Sequence, residues 1–496
     1  MSADAESELS EPHEPARPTR SVAVERLRSV VGNRTFGYYL LGVLGTPLML
    51  SLLGLSLRQT LAVGCFSTIL YGAIFFWRQR VAFAALGVAL LLTSGLLGVP
   101  ELVESAGLEI ILFLVAMMAV IGYMEENQFF EYGIERMLLL VGPHPVRLLT
   151  TMMVLAAVTG ALVGEVTSIL FMLAAMINLI GRSHVDRVPF VLMLVFATNV
   201  GSSATVVGNP VGVIVALRSG FTFADFLRWA TPISIACLLV VIPICLWYWR
   251  DDVQGLRHIL TSRHGVAHIQ RVAREENIPR GGIVRSAWLF GPVVLGLVFH
   301  HQLEELLGLV RNTMILGVAL LGAAAAIALA GKEARRLVET RVDWWTLLFF
   351  LLLFASVGTL AQQGVTAVIA DRLIGLSGGN VPVLSTIFAW ASGILTAVMD
   401  NVLAVATFVP IIEDVGDQGI QTAPLWWSIL FGGTLMGNLT LIGSTANIVA
   451  VGVVERQHLG EISFGAWLRP GLIVALPTMI LANLLLLIQL PLMPKG

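Results

Sequence analysis

The stretch TLMGNLTLIGSTANIVAV (residues 434–451), with its counterpart NVGSSATVVGNPVGVIVA (residues 199–216), decides how this chain is read. Each lies in apolar sequence long enough to cross a bilayer, yet carries Gly, Asn, Ser and Thr where a lipid-facing helix would carry Leu and Ile. Polar, glycine-punctuated interruptions of this kind predict discontinuous membrane helices, unwound near the midplane where a solute or ion binds.

The composition around them supports that class. Of 496 residues, 56% are hydrophobic and 12% charged, with a mean hydropathy of +0.85; soluble domains carry about 25% charged residues. The chain is therefore expected to be an all-α polytopic membrane protein with the lipid bilayer as its first partner. A net charge of −2 offers no field for nucleic acid. Cys65, Cys237 and Cys245 lie in apolar segments without metal-ligand spacing, and no phosphate-binding Gly-Lys-Ser/Thr loop occurs, so no cofactor is expected.

Residues 1–34, rich in Glu, Ser, Pro and Arg, predict a disordered tail, and 35–59 an extra N-terminal helix retained in the chain. Hydropathy places crossings near 36–57, 60–77, 81–100, 107–124, 188–217, 229–249, 286–303, 311–331, 344–361, 425–454 and 469–490. That makes about 11 transmembrane helices. The stretches 148–181 and 381–411 are too long for one crossing and are broken by charge at Glu165 and Asp400, which predicts two re-entrant hairpins. With a cytoplasmic N-terminus this layout puts Arg78, Arg80, Arg182, Arg187 and the 251–285 linker on the cytoplasmic side, and Glu101, Glu104, Glu413 and Asp414 outside. Trp344, Trp345, Trp426 and Trp427 read as interfacial anchors, His300 and His301 as an interfacial pair, and Glu125, Glu126 and Arg136 as the start of an amphipathic link.

The two halves match in order. Arg136 in IERMLLLVG pairs with Arg372 in IADRLIGLSGG, and Glu165 falls opposite Asn401, both 236 residues apart. Thr205 and Gly208 fall opposite Thr440 and Gly443, 235 apart. This predicts repeats at 60–250 and 286–490, each with five crossings and a hairpin; the odd count inverts the second copy.

A carboxylate held in the membrane is expensive and usually faces a functional cavity. Asp400 and Glu165 are thus the expected proton- or ion-coupling groups, with helix capping as the competing role for each. The unwound segments add neutral ligands: Asn199, Ser202, Ser203, Thr205, Gly208 and Asn209 in one copy, and Asn438, Thr440, Gly443, Ser444, Thr445 and Asn447 in the other, with Asn401 beside Asp400. Gly201, Gly208, Gly437 and Gly443 are expected to permit unwinding through positive φ. Oxygen ligands suit a hard cation, and sodium is expected near Asn199, Thr205, Asp400 and Asn438. Packing through small residues is the competing account for any single Ser or Thr. An aspartyl pair of Asp400 and Glu165 would suit an intramembrane enzyme, but that leaves the repeat unexplained.

DNVLAVATFVPII followed by LFGGTLMGNLTLIGSTANIVAVGVVER resembles the second half of the ion transporter superfamily, near the branch of arsenite efflux permeases, D-type sodium/proton antiporters and pink-eyed dilution proteins, which share a citrate transporter-like domain. GEVTSILFMLAAMI and ATNVGSSATVVGNPVGV resemble the corresponding first hairpin tip and broken helix, and the similarity covers roughly residues 60 to 490. The resemblance implies scaffold and transport domains, a homodimer, and elevator-like movement in the plasma membrane. The expected activity is secondary exchange of a small inorganic ion, sodium for protons; proton-coupled arsenite efflux and sodium-coupled dicarboxylate transport are the alternatives. One departure stands out. The first tip reads Gly164-Glu165 where the branch carries Asp-Asn, so its carboxylate is one residue later and one methylene longer.

Overall fold

The computed structural model describes residues 34–52, 54–141, 144–180, 186–261 and 280–493; the rest of the 1–34 tail, Arg182 and most of the 251–285 linker lie outside them. The described residues form helices joined by turns and loops, with no strand. Among the described residues, eight helices are long and apolar enough to cross a membrane: Leu108–Glu126, Pro145–Val163, Phe223–Tyr248, Arg280–Val298, Thr313–Arg341, Trp344–Gln362, Val381–Val398 and Phe464–Leu492. The expected 36–57 and 60–77 crossings form the continuous helices Arg34–Ser51 and Leu57–Phe75, while other expected crossings are shorter or broken. The predicted 188–217 span divides into Val188–Ser202 and Pro210–Ser219, and 425–454 into Ala423–Leu435 and Thr445–Arg456. The predicted 81–100 helix stops at Thr93, because a turn through Gly95 at φ 67° leads into the short helix Val99–Ser105.

Both long polar-tipped stretches fold into paired arms. The first pairs Pro145–Val163 with Glu165–Ile180, turning on Gly164 alone, and the Thr159 and Ser168 hydroxyls meet at 2.6 Å across that turn. The second pairs Val381–Val398 with Asn401–Asp417, turning through extended backbone at Met399 and Asp400. The same punctuation recurs in both halves. Each hairpin's first arm and each broken helix opens with Pro in its first turn, at Pro145, Pro189, Pro382 and Pro424, where the missing N–H breaks no helical bond.

The helices sort into two packing groups. Leu57–Phe75, Arg80–Thr93, Leu108–Glu126, Arg280–Val298, Thr313–Ala330 and Trp344–Gln362 pack on one another, with Arg34–Ser51 laid against Leu57–Phe75. The hairpins, the broken helices, Phe223–Tyr248 and Phe464–Gln489 form the other group, in which Pro145–Val163 lies along Val188–Ser202 as Val381–Val398 lies along Ala423–Leu435. Trp344–Gln362 joins the groups by packing on the Asn401–Asp417 arm.

Burial and backbone correct two expectations, and burial also encloses a charge that the layout set between crossings. Trp344 and Trp345 are half exposed as anchors should be, but Trp426 and Trp427 are buried, with Trp427 stacked on Phe221 at 4.4 Å between ring centroids. Arg80, set between two expected crossings on the cytoplasmic side, is only 4% exposed. Gly201, Gly208, Gly437 and Gly443 do not adopt positive φ. Their smallness serves close approach instead: a Cβ on Gly208 would lie 2.1 Å from the Ser202 carbonyl oxygen.

Candidate functional site

The unwound centres of the two broken helices and the two hairpin tips converge on one buried polar cluster. Its frame is built symmetrically. The Thr440 hydroxyl donates to the Ala397 carbonyl at 2.7 Å, and Thr205 donates in the same way to the Ala161 carbonyl, so each broken helix clamps the last turn of its hairpin's first arm. Each second segment starts on a side-chain cap: Asn209 accepts from the Gly212 N–H and Ser444 from the Ala446 N–H. Such caps satisfy amide groups that the helix itself leaves unpaired.

Three amides lock the two halves together. The Asn199 amide nitrogen donates to the side-chain oxygens of Asn438 and Asn447, both at 2.8 Å. Asn447 donates in turn to the Gly437 and Thr440 carbonyls of the unwound segment, and Asn438 to the Phe196 carbonyl. Trp467 supports this frame from the last helix by donating to the Asn438 carbonyl at 3.1 Å. Asn209 donates to Ser202 and to Thr434, joining the repeats a second time. A buried amide without partners is costly, and here nearly every one is satisfied by the opposite half.

The two acids occupy different parts of this frame. Glu165, 2% exposed, accepts from Ser202 at 3.2 Å, Ser444 at 3.1 Å and the Asn401 amide at 3.4 Å, so both repeats hold its carboxylate. Its own N–H donates to the Gly208 carbonyl, which fixes the tip to the first unwound segment. Asp400, equally buried, accepts from the Val402 N–H at 3.0 Å and from the Thr445 hydroxyl at 2.8 Å, capping its helix arm while facing the second broken helix. The side-chain oxygen of Asn401 is buried without a partner, as are the hydroxyls of Thr198 and Thr396. Glu165 feels the charge of Asp400.

Of the residues expected here, Glu165, Asp400, Asn401, Asn199, Ser202, Asn209, Asn438, Ser444, Thr445 and Asn447 are joined by direct hydrogen bonds in the cluster or to its caps. Ser203 is turned away: it meets the Ser234 hydroxyl at 2.8 Å on the Phe223–Tyr248 helix, a packing contact. Thr205 and Thr440 serve as clamps, and Gly208 and Gly443 as close-approach points, where a Cβ on Gly443 would lie 2.8 Å from the Gly437 carbonyl oxygen. Thr434 opens the 434–451 stretch without being singled out in it, and Trp467, which also belongs to the frame, carried no sequence signal, since one Trp in an apolar helix reads as packing. No group of three or more His, Cys, Asp or Glu side chains among the described residues could hold a resident metal.

The chain is similar to known proteins. A family model described as a citrate transporter matches residues 70–432. An uncharacterized transporter of Mycobacterium tuberculosis is 30% identical over 383 residues, covering 76% of this chain and 85% of its own length. The human P protein is 25% identical over 437 residues, which is 75% of this chain and 52% of that protein. Among solved structures, the YdaH transporter of Alcanivorax borkumensis superimposes with a TM-score of 0.55 at 14% identity, over 80% of this chain and 88% of that one. That likeness speaks to the fold.

Proposed function

The chain belongs to the citrate transporter family, and from that premise we propose that this membrane transporter exchanges sodium ions for protons. The observation that carries the reading is the pair of buried carboxylates, Glu165 and Asp400, held at the meeting point of two hairpin tips and two broken helices among neutral oxygen and amide groups. Neither polar motif contains Lys or Arg to neutralise a carboxylate substrate. A cation and a proton compete for the same acid oxygens: sodium binds when Glu165 and Asp400 are ionised, and protonation expels it. The unpartnered oxygen of Asn401 offers a further neutral ligand beside them.

The two packing groups support an elevator reading, in which the hairpin and broken-helix group is the transport domain and the other the scaffold. A cavity of about 480 Å³ opens between them beside their direct contacts, lined by Glu104, Phe354 and Gln362 on the scaffold and by Arg218, Ala406 and Glu413 on the transport domain. We place the N-terminus in the cytoplasm, the protein in the plasma membrane, and the assembly as a homodimer through the scaffold.

Proteoliposomes loaded with a pH-sensitive dye test this. Adding sodium should evoke proton movement that disappears in Asp400→Asn and weakens as the medium is acidified, because protons then hold both acids. If arsenite or succinate evokes the movement and sodium does not, the reading fails in favour of metalloid efflux or dicarboxylate transport.

A further inference from the structure

Arg80 lies outside every motif and is a buried charge that the exchange cycle leaves unused. It opens the Arg80–Thr93 helix of the scaffold, where its guanidinium sits 3.8 Å from the Trp77 ring centroid and 5.3 Å from that of Phe349. One Nη donates to the Thr346 hydroxyl at 2.6 Å, and that hydroxyl donates on to the Asp343 carboxylate. The Nε is buried without a partner. Thr346 belongs to the helix Trp344–Gln362, the scaffold element that packs on the Asn401–Asp417 arm, so the guanidinium is held at the seam between the groups. Two acids act on it through space, Asp400 at the tip of that arm and Asp343. Asp400 in turn feels Arg80, and Glu165 feels Asp400.

A half-satisfied guanidinium in a low-dielectric seam is strongly stabilised by a negative partner and gains little from a neutral one. We propose that Arg80 is a positioning residue that docks the second hairpin tip on the scaffold whenever Asp400 is ionised and empty, and releases it once a proton or bound cation neutralises that acid. The consequence is obligate coupling: the empty, charged carrier is held and cannot cross alone. The inference rests on Asp400 being the ion-bearing acid of the proposed exchange.

Hydrogen–deuterium exchange in nanodiscs tests the docking without reference to any substrate. At alkaline pH and without sodium, Arg80→Gln and Asp400→Asn should each raise amide exchange across residues 399–404 by about tenfold, and the double variant by no more than either alone. Additive effects, or a change confined to residues 343–349 around Thr346, would overturn the proposal. Where the parent exchanges sodium for protons, Arg80→Gln should raise net ²²Na⁺ entry relative to ²²Na⁺ self-exchange, and Arg80→Lys should restore the parent ratio. Parallel loss of both fluxes in Arg80→Gln would reduce Arg80 to a structural role and sink the coupling claim. A parent without sodium flux defeats the exchange reading, while the amide-exchange cycle still decides whether Arg80 docks the tip.

Discussion

The two hairpin tips do equivalent jobs with different chemistry. At the second, Asp400 lies before its helix arm, bonds its own Val402 N–H and reaches sideways to Thr445. At the first, the equivalent position is Gly164, and the carboxylate has moved into the helix as Glu165, where Ser202, Ser444 and Asn401 converge on it. Asn401 is the sequence counterpart of Glu165, so the two matched residues bond each other across the repeat at 3.4 Å. The lesson is a difference in tethering: Asp400 is tied to its own arm and to Thr445, whereas Glu165 is held by side chains of both halves.

The largest effect should come from changing Glu165. Glu165→Gln keeps an oxygen for the same donors, and Asn401 can turn its amide to suit, so the protein should fold. Sodium-evoked proton flux should nevertheless fall by at least about 100-fold, the scale seen where a proton-carrying acid is removed. Retention of coupled flux in reconstituted vesicles would show that Asp400 works alone.

The turn residues give the next contrast. Gly164 sits at φ 104° and ψ 150°, a region that glycine alone occupies freely. A Cβ there would meet nothing nearer than 3.9 Å, so the penalty of Gly164→Ala is backbone strain alone, about 1–3 kcal/mol. Asp400→Ala removes a cap instead and should destabilise by about 1 kcal/mol. Thermal midpoints of the two variants in one detergent should fall in that order; the reverse order would mean that the first tip relaxes to another turn.

Much of this was legible in the sequence, because membrane burial makes polar residues conspicuous. The broken helices, the hairpins, both acids and the three asparagines all announced themselves as polar groups in apolar runs, and the repeat offsets matched the clamps that Thr205 and Thr440 make. What escaped depends on tertiary partners. Arg80 follows Arg78 in WRQR between two expected crossings, and only the Trp77 and Phe349 rings and Thr346 decide that it is buried. Trp426 and Trp427 had the composition of a membrane belt, but Phe221 and Phe226 cover Trp427. Glycine was misjudged in kind, since close approach and positive φ favour the same residue and look identical in a sequence.

The smallest expected effect probes what the two tips still share. Thr205→Val and Thr440→Val each remove one hydroxyl donor to a hairpin carbonyl while keeping the β-branched shape, so each should cost about 1 kcal/mol, the net worth of one buried hydrogen bond plus some penalty for the stranded acceptor. If the clamps are equivalent, thermal midpoints should fall alike. Transport should fall more for Thr440→Val than for Thr205→Val. The Thr440 carbonyl also accepts from Asn447, which holds Asn199, so loosening Thr440 disturbs the amide lattice beside Glu165 as well as the second tip. The Glu165 tip has an independent tether to the first unwound segment, its N–H on the Gly208 carbonyl, and can tolerate the loss of Thr205. Equal transport defects would mean that the clamps matter only for stability, and that the asymmetry between the tips ends at their carboxylates.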